Sequence, residues 1–346
     1  MDGVKPWAGQ LVALPSLDAM ITRAIATPST CVPDGTVVLS YFNEHHKEMR
    51  RLQFERVRSL TCLMARVVSA CYGTSDDFGA CVSAPQVPPS TFRRGAYIEL
   101  IWAKWRLVYQ ALGVARTVLF VDTDVVLLRN PFPYLGDVRG FDMRFQTSLA
   151  CPAATCAAAP RFEGYARLNG APLMRPCQVN GGFLLISNRE LVRQVLHRET
   201  PSIGGNAVNR GDIDQDTADP VVRSGNFSFC PLPPTHFVGQ CFYRGVEPAG
   251  NRSFFENLRA CQLVTYHTTC IGMTRQKANA MAAMLNKTAH CVPASSGDTA
   301  VEFGSQMPPT RIGAWHNLPG SRRPQPPATM RQGPKRRRRS NEDAYK

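Results

Sequence analysis

Between Ala96 and Val126 the chain spells a helix, a short turn and a buried strand, a succession that constrains most of what it can fold into. Ile98, Ile101, Trp102, Trp105, Val108, Tyr109 and Leu112 recur at helical spacing. Gly113 stands where a helix C-terminus favours a left-handed residue. After a turn of four residues the apolar run Val118-Leu-Phe-Val121 begins, and it ends at Asp122-Thr-Asp124. With the strand expected before it, this succession is the grammar of an open α/β sheet. Ligands of such sheets bind beyond the carboxyl ends of the strands. Asp122 and Asp124 lie at that end.

The remaining pattern extends the same grammar. A short amphipathic helix is expected over 17–30 and a strand over Thr36–Phe42, where β-branched and aromatic residues follow Asp34-Gly35. A long helical pattern runs from Asn43 to about Val68, and a Gly/Ser/Pro-containing loop from about Gly73 to Ser90. An Ala/Pro-rich loop covers Cys151 to Pro176, followed by a strand at Gly182–Ser187 and a helix at Glu190–Glu199. Everything after about Val292 lacks periodicity and is rich in Pro, Ser and Arg, the composition of a mostly disordered segment. The expected organisation is an N-terminal extension (1–16), a single α/β domain (17–291) and a basic tail (292–346).

The net charge of +14 is unevenly spread. After Gly320, nine Lys and Arg residues face only Glu342 and Asp343, so the tail holds half of the excess. The remainder suits a protein with an anionic ligand. Twelve cysteines, together with the sequons at Asn226-Phe-Ser, Asn251-Arg-Ser and Asn286-Lys-Thr, point to an oxidising secretory compartment such as the Golgi lumen. The alternative is a reduced cytoplasmic protein with buried thiols. Cys151-x4-Cys156 lacks a second ligand pair at finger spacing, which favours a disulfide or free thiols over zinc. No segment approaches the roughly 18 apolar residues that span a bilayer, and the first 30 residues do not read as a signal peptide. A lumenal location therefore implies an anchor or signal outside this chain.

Side chains at i and i+2 of an extended chain point to one side, about 6.5–7 Å apart at the backbone. Asp122 and Asp124 can thus converge on one hard cation. Mg²⁺ or Mn²⁺ held in this way takes further ligands from substrate phosphates and neutralises a departing diphosphate. An isolated Asp-x-Asp says little. One that closes an apolar strand and precedes Leu127-Leu-Arg-Asn-Pro-Phe132 says more.

Val118-Leu-Phe-Val-Asp-Thr-Asp-Val-Val-Leu-Leu-Arg-Asn-Pro-Phe-Pro133 resembles the metal-binding strand of the nucleotide-diphospho-sugar transferases, in particular a family-77-like group with plant and algal arabinosyl- and xylosyltransferase relatives. The resemblance spans about Leu17 to Leu285. It implies a single GT-A α/β domain, an open mixed but mostly parallel sheet flanked by helices, that is metal-dependent and retains configuration at the anomeric carbon, with Asp122, Asp124 and His267 as ligands of Mn²⁺ or Mg²⁺ and Asp122 also at the substrate. Asn180-Gly-Gly182 is similar to a segment lining the donor sugar. Asp214-Gln-Asp216 is similar to one beside the reacting carbon, which makes Asp214 and Gln215 catalytic candidates. In His267-x4-Gly272-x4-Lys277, Gly272 and Lys277 are implied to meet the diphosphate. Lys104 stands where relatives keep a basic residue facing the donor, although it also fits a solvated helix position. Asn43 falls where the nucleotide sits. His45-His46, without partners in the sequence, read as surface residues. The double glycine after Asn180, the Cys151–Cys177 insertion and the Ser40-Tyr41 pair depart from the family pattern and leave donor and base open. The partners that the resemblance implies are a nucleotide-sugar donor, a UDP-sugar foremost, and a glycan or glycoprotein acceptor.

Two other readings remain. Asp122-Thr-Asp-Val-Val126 also spells the nucleophile motif of haloacid-dehalogenase-like phosphatases, and Gly211-Asp212-Ile-Asp-Gln-Asp216 mimics their late metal motif. That late motif normally ends an apolar strand, whereas here it follows the loop-like Gly204–Arg210. The second is non-enzymatic: Lys335-Arg-Arg-Arg-Arg339 fits a nuclear-localisation or nucleic-acid-binding run, or a tail for acidic polymers, and the domain itself could be a catalytically inactive fold that only binds glycan or polyanion. No aromatic residue interleaves that run, and nucleic acid is not an expected partner.

Overall fold

The computed structural model describes residues 15–72, 80–84, 96–136, 140–147, 167–168, 171–172, 178–198, 214–233, 236–239, 260–269, 271 and 273–291, all within one compact unit spanning 1–299. The basic tail, the Cys151–Cys156 pair and the Asn251 sequon lie outside the described residues. So does Gly204–Arg210.

The main sheet has seven strands: β1 (Thr36–Asn43), β2 (Val67–Tyr72), β3 (Ala80–Ala84), β4 (Thr117–Val121), β6 (Met143–Thr147), β9 (Val179–Ile186) and β10 (Phe229–Pro231). Their spatial order is β10-β6-β9-β4-β1-β2-β3. In this sheet β9 runs antiparallel to β4 and β6, and the other neighbours pair in parallel. A second sheet joins β11 (Phe237–Gly239), β12 (Thr265–His267) and β5 (Val125–Leu127), while β7 (Arg167–Leu168) and β8 (Ala171–Pro172) form a small ladder.

Both faces of the main sheet are covered, so its central strands are continuous apolar runs. Val37, Leu39, Val118, Phe120, Leu184 and Ile186 pack on one face against helices α1 (Pro15–Ala26), α4 (Ala96–Ala111), α6 (Arg189–Leu196) and α7 (Asp214–Val222). Trp102 and Trp105 of α4 are the largest side chains fully buried there. Val38, Leu119, Val121, Phe183 and Leu185 face the opposite layer with Phe54, Leu63 and Phe237. A third cluster seats α2 (Lys47–Gln53) and α8 (Thr274–Lys287) on β5 through Met49, Leu52, Val126, Met281 and Leu285. No helix among the described residues is long and apolar enough to cross a membrane.

Several expectations change. The long helix expected from Asn43 to Val68 is a 3₁₀ turn (Glu44–His46), α2, a short helix α3 (Thr61–Met64) and the start of β2. Val67-Val-Ser-Ala-Cys-Tyr72 is buried along its whole length between β1 and β3, so it lacks the alternation that marks a strand. Strand β3 lies inside the expected loop after Gly73, tied to β2 by the Cys71–Cys81 disulfide. Gly113 ends α4 without a positive φ, and its N–H donates to the Gln110 carbonyl at 2.8 Å. At α6, Asn188 caps the helix, its side chain accepting from Glu190 N at 2.9 Å and Leu191 N at 3.2 Å.

Candidate active site

Backbone pairing assembles the site before any side chain is considered. Strand β4 ends at Val121, opposite Phe183 of β9, and the Asp122 N–H donates to the Gly182 carbonyl at 2.8 Å. The chain then turns through Thr123-Asp124 and re-enters pairing as β5. There Val125 lies opposite His267, and the Thr268 N–H donates to the Asp124 carbonyl at 3.0 Å. Thus β9 holds Asp122 from one side and β12 delivers His267 from the other.

The ligand atoms of Asp122, Asp124 and His267 all lie within 4.8 Å of one another. His267 Nε2 faces Asp124 Oδ1 at 3.2 Å, and its Nδ1 lies 3.0 Å from Gln146 Oε1. Two carboxylates and an imidazole form a donor set suited to a hard or borderline divalent cation. Asp122, Asp124 and His267, predicted as the metal ligands, are brought together.

Two lysines flank the acidic pair. Lys104 is only 3 % exposed, its Nζ 3.2 Å from the Gly181 carbonyl and 3.9 Å from Asp122 Oδ2. The solvated-helix reading of Lys104 is therefore corrected, because α4 packs this face onto the sheet. Lys277, on the first turn of α8, donates to Asp124 Oδ2 at 2.5 Å. Burial opposes the Asp124 charge, yet Lys277 and His267 hold its carboxyl well below the ordinary range. Burial likewise opposes the Lys277 charge, but Asp124, aided by Asp122, raises its pKa.

Gly182 has a steric role. A Cβ built there would stand 2.7 Å from His267 Nε2 and 2.8 Å from Nδ1, with Cε1 closer still. The imidazole occupies the space that a side chain would need. Asn180 shapes the same segment, its Oδ1 accepting the Gly182 N–H at 2.9 Å. Asn43 is buried at the end of β1, next to β4, and its Oδ1 has no partner among the described residues. Asp214 and Gln215 open helix α7, whose Asp219 accepts the Val179 N–H at the start of β9 (3.2 Å). Gln215 is half-buried; the Asp214 side chain and Gly272 lie outside what is described.

Three neighbours were not found from sequence. Gln53, at the end of α2, donates to the Asp122 carbonyl at 2.6 Å and is held by Arg50 at 2.9 Å. Arg50 in turn reaches Ser69 Oγ at 2.6 Å and packs over Phe54. Gln146 supports His267 from β6. His46, read as a surface residue, is half-buried. Burial first, then repulsion by Lys277 and His45 against the attraction of Asp124, lowers its pKa to about 4. Polar residues singly placed on α2 or on a strand leave no motif, and the Glu-His-His-Lys-Glu run looks solvated until α2 packs on α8 and β5.

A mixed sheet with helices on both faces, and an acidic pair at the carboxyl end of a central strand, defines a GT-A-type α/β enzyme. The family model described as nucleotide-diphospho-sugar transferase matches residues 60–281. The chain belongs to that family and is a glycosyltransferase. The phosphatase reading falls with this assignment; moreover Asp214-Gln-Asp216 opens a helix. Among solved structures, the galactosyltransferase LgtC in complex with donor and acceptor sugar analogues is similar at 11% identity and TM-score 0.42, covering 72% of this chain and 95% of its own. A glycosyltransferase involved in glycosylation of the major capsid of PBCV-1 gives 13% and 0.41, covering 72% and 98%. Mouse xyloside xylosyltransferase 1 gives 13% and 0.39, covering 69% and 99%. No curated protein matches by sequence.

Proposed function

We propose that the chain transfers a sugar from a UDP-sugar to a hydroxyl of a glycan or glycoprotein, with a divalent cation at Asp122, Asp124 and His267 and with retention at the anomeric carbon. The convergence of the three donor atoms within 4.8 Å carries this reading. Mn²⁺ or Mg²⁺ held there would supply neutralisation of the leaving diphosphate. Lys104 and Lys277 add fixed positive charge beside the acidic pair, in a setting where charge acts more strongly than in water. The buried Asn43 Oδ1 offers an acceptor to the nucleoside. Asn180 and Gly182 serve the donor sugar, and Lys277, with Gly272 proposed from the sequence alone, serves the diphosphate. Gln215 or Asp214 stabilises the face of the oxocarbenium-like centre opposite the leaving group. The acceptor hydroxyl attacks from the leaving-group side, since an amide at Gln215 is a poor nucleophile.

A secretory lumen fits the covalent chemistry. Cys31–Cys62, Cys71–Cys81 and Cys261–Cys291 are disulfides, and the sequon residues Asn226 and Asn286 are exposed.

A panel of nucleotide sugars, followed by hydrolysis and transfer with and without Mn²⁺, tests the donor and the cation. One UDP-sugar is expected to be turned over, with activity lost to a chelator and restored by Mn²⁺. Turnover indifferent to chelation would reject the cation, and a product of inverted configuration by NMR would reject retention.

A further inference from the structure

Gln146 is fully buried, and no motif marks it. It sits at an irregularity between β6 and β9: Phe145 pairs with Leu184, but Thr147 pairs with Val179. Gln146 therefore stands alone opposite residues 180–183, the Asn-Gly-Gly-Phe stretch that borders the acidic pair. Such irregularities in a ladder re-aim side chains and cluster beside active sites. Here the re-aimed side chain places Oε1 3.0 Å from His267 Nδ1, while its own Nε2 has no partner among the described residues. An unpaired buried donor is costly, so Gln146 stands there at a local expense in stability.

The other imidazole nitrogen has a competing neighbour. His267 Nε2 is 3.2 Å from Asp124 Oδ1. With no acceptor at Nδ1, the Asp124 carboxylate would draw the ring proton to Nε2 and block its lone pair. We propose that Gln146 is the positioning residue of His267: its carbonyl oxygen accepts the Nδ1 proton and keeps the Nε2 lone pair turned toward Asp124. This rests on the cation reading above, because the lone pair matters only if a cation uses it. Lys277 assists by engaging the other carboxylate oxygen of Asp124. Gly182 leaves room for the ring to hold this orientation.

The tautomer is measurable without metal. In the metal-free protein, ¹⁵N shifts of the His267 imidazole, assigned by their loss in His267→Gln, are expected to report Nδ1–H in the wild type and Nε2–H in Gln146→Leu. Mn²⁺ affinity, read by EPR titration, is expected to fall 10–100-fold in Gln146→Leu. At saturating Mn²⁺ kcat should recover, with KM for the donor unchanged. Gln146→Glu keeps an acceptor oxygen and should retain both Nδ1–H and Mn²⁺ affinity, and it carries the test if the leucine variant does not fold. Nδ1–H persisting in Gln146→Leu, or Nδ1–H lost in Gln146→Glu, overturns the role of Gln146. Wild-type protein that binds no Mn²⁺ while showing the expected tautomers overturns the cation reading instead.

Discussion

The sharpest consequence of the site geometry falls on Gly182. In Gly182→Ala the new methyl would lie 2.7 Å from His267 Nε2 and 2.8 Å from Nδ1. Favourable heavy-atom contacts lie near 3.5–4.0 Å, and Cε1 is closer still, so the ring must retreat by more than about 1 Å. It cannot do so freely, because Gln146 Oε1 holds Nδ1 at 3.0 Å and Asp124 faces Nε2 at 3.2 Å. Overpacking costs about 1–3 kcal/mol, and stranding the buried Gln146 oxygen costs about 1–3 kcal/mol more. A melting temperature several degrees lower is expected by circular dichroism. Displacing one of three proposed ligands should also raise the Mn²⁺ concentration for half-maximal donor hydrolysis at least about 10-fold. A double-mutant cycle isolates the cause. With His267→Ala the obstruction is gone, and Gly182→Ala should then cost less than about 1 kcal/mol. Gly182→Ala with wild-type melting and Mn²⁺ dependence would refute the argument, as would equal costs in the two backgrounds.

Other expectations follow from the same contacts. Asp124→Asn should lower transfer by about a thousandfold or more. It should also destabilise by about 3 kcal/mol, because Lys277 loses its charged partner; adding Lys277→Met should restore the urea midpoint but not activity, and recovered activity would reject the catalytic assignment. Asn188→Ala removes the α6 cap and its bond to Asp142 at 2.8 Å, and should cost about 1 kcal/mol in urea unfolding; no change would reject a stabilising role for the cap. His46 has a folded pKa of about 4, below its ordinary 6.5. The sign is that of a depressed group: its full contribution is present above pH 6.5 and is lost as pH falls toward 4. Metal-free protein should lose up to roughly 3 kcal/mol over that interval, and His46→Gln should flatten this part of the stability curve. A curve unchanged by the substitution would reject the burial of His46.

The sequence was most legible where one segment carries its own signal. The helix ending at Ala111 and the strand through Val121 follow from periodicity and from an apolar run, and Asp122 and Asp124 inherit their place from that strand. β2 was misread because burial on both faces erases alternation. β5, β11 and β12 have three residues each, too few for any pattern, and exist through pairing with one another. The local chain around His267 carries no sign that it will meet Val125. Gln53, Gln146 and His46 were illegible for the same reason: their partners are supplied by other layers of the fold, and an isolated amide or imidazole has no spacing to recognise.

The pairing of Val125 with His267 also governs when the site can exist. The Thr268–Asp124 hydrogen bond closes a separation of 144 residues, and Lys277 reaches Asp124 across 153. During synthesis Asp122 and Asp124 emerge long before either partner, and contacts so distant in sequence are costly to close early. The nascent chain therefore carries an acidic pair with neither its imidazole nor its counter-cation until α8 has been made. Binding competence at this centre then doubles as a readout of completed folding, and a product truncated before Lys277 would keep the family's strand yet lack a finished site.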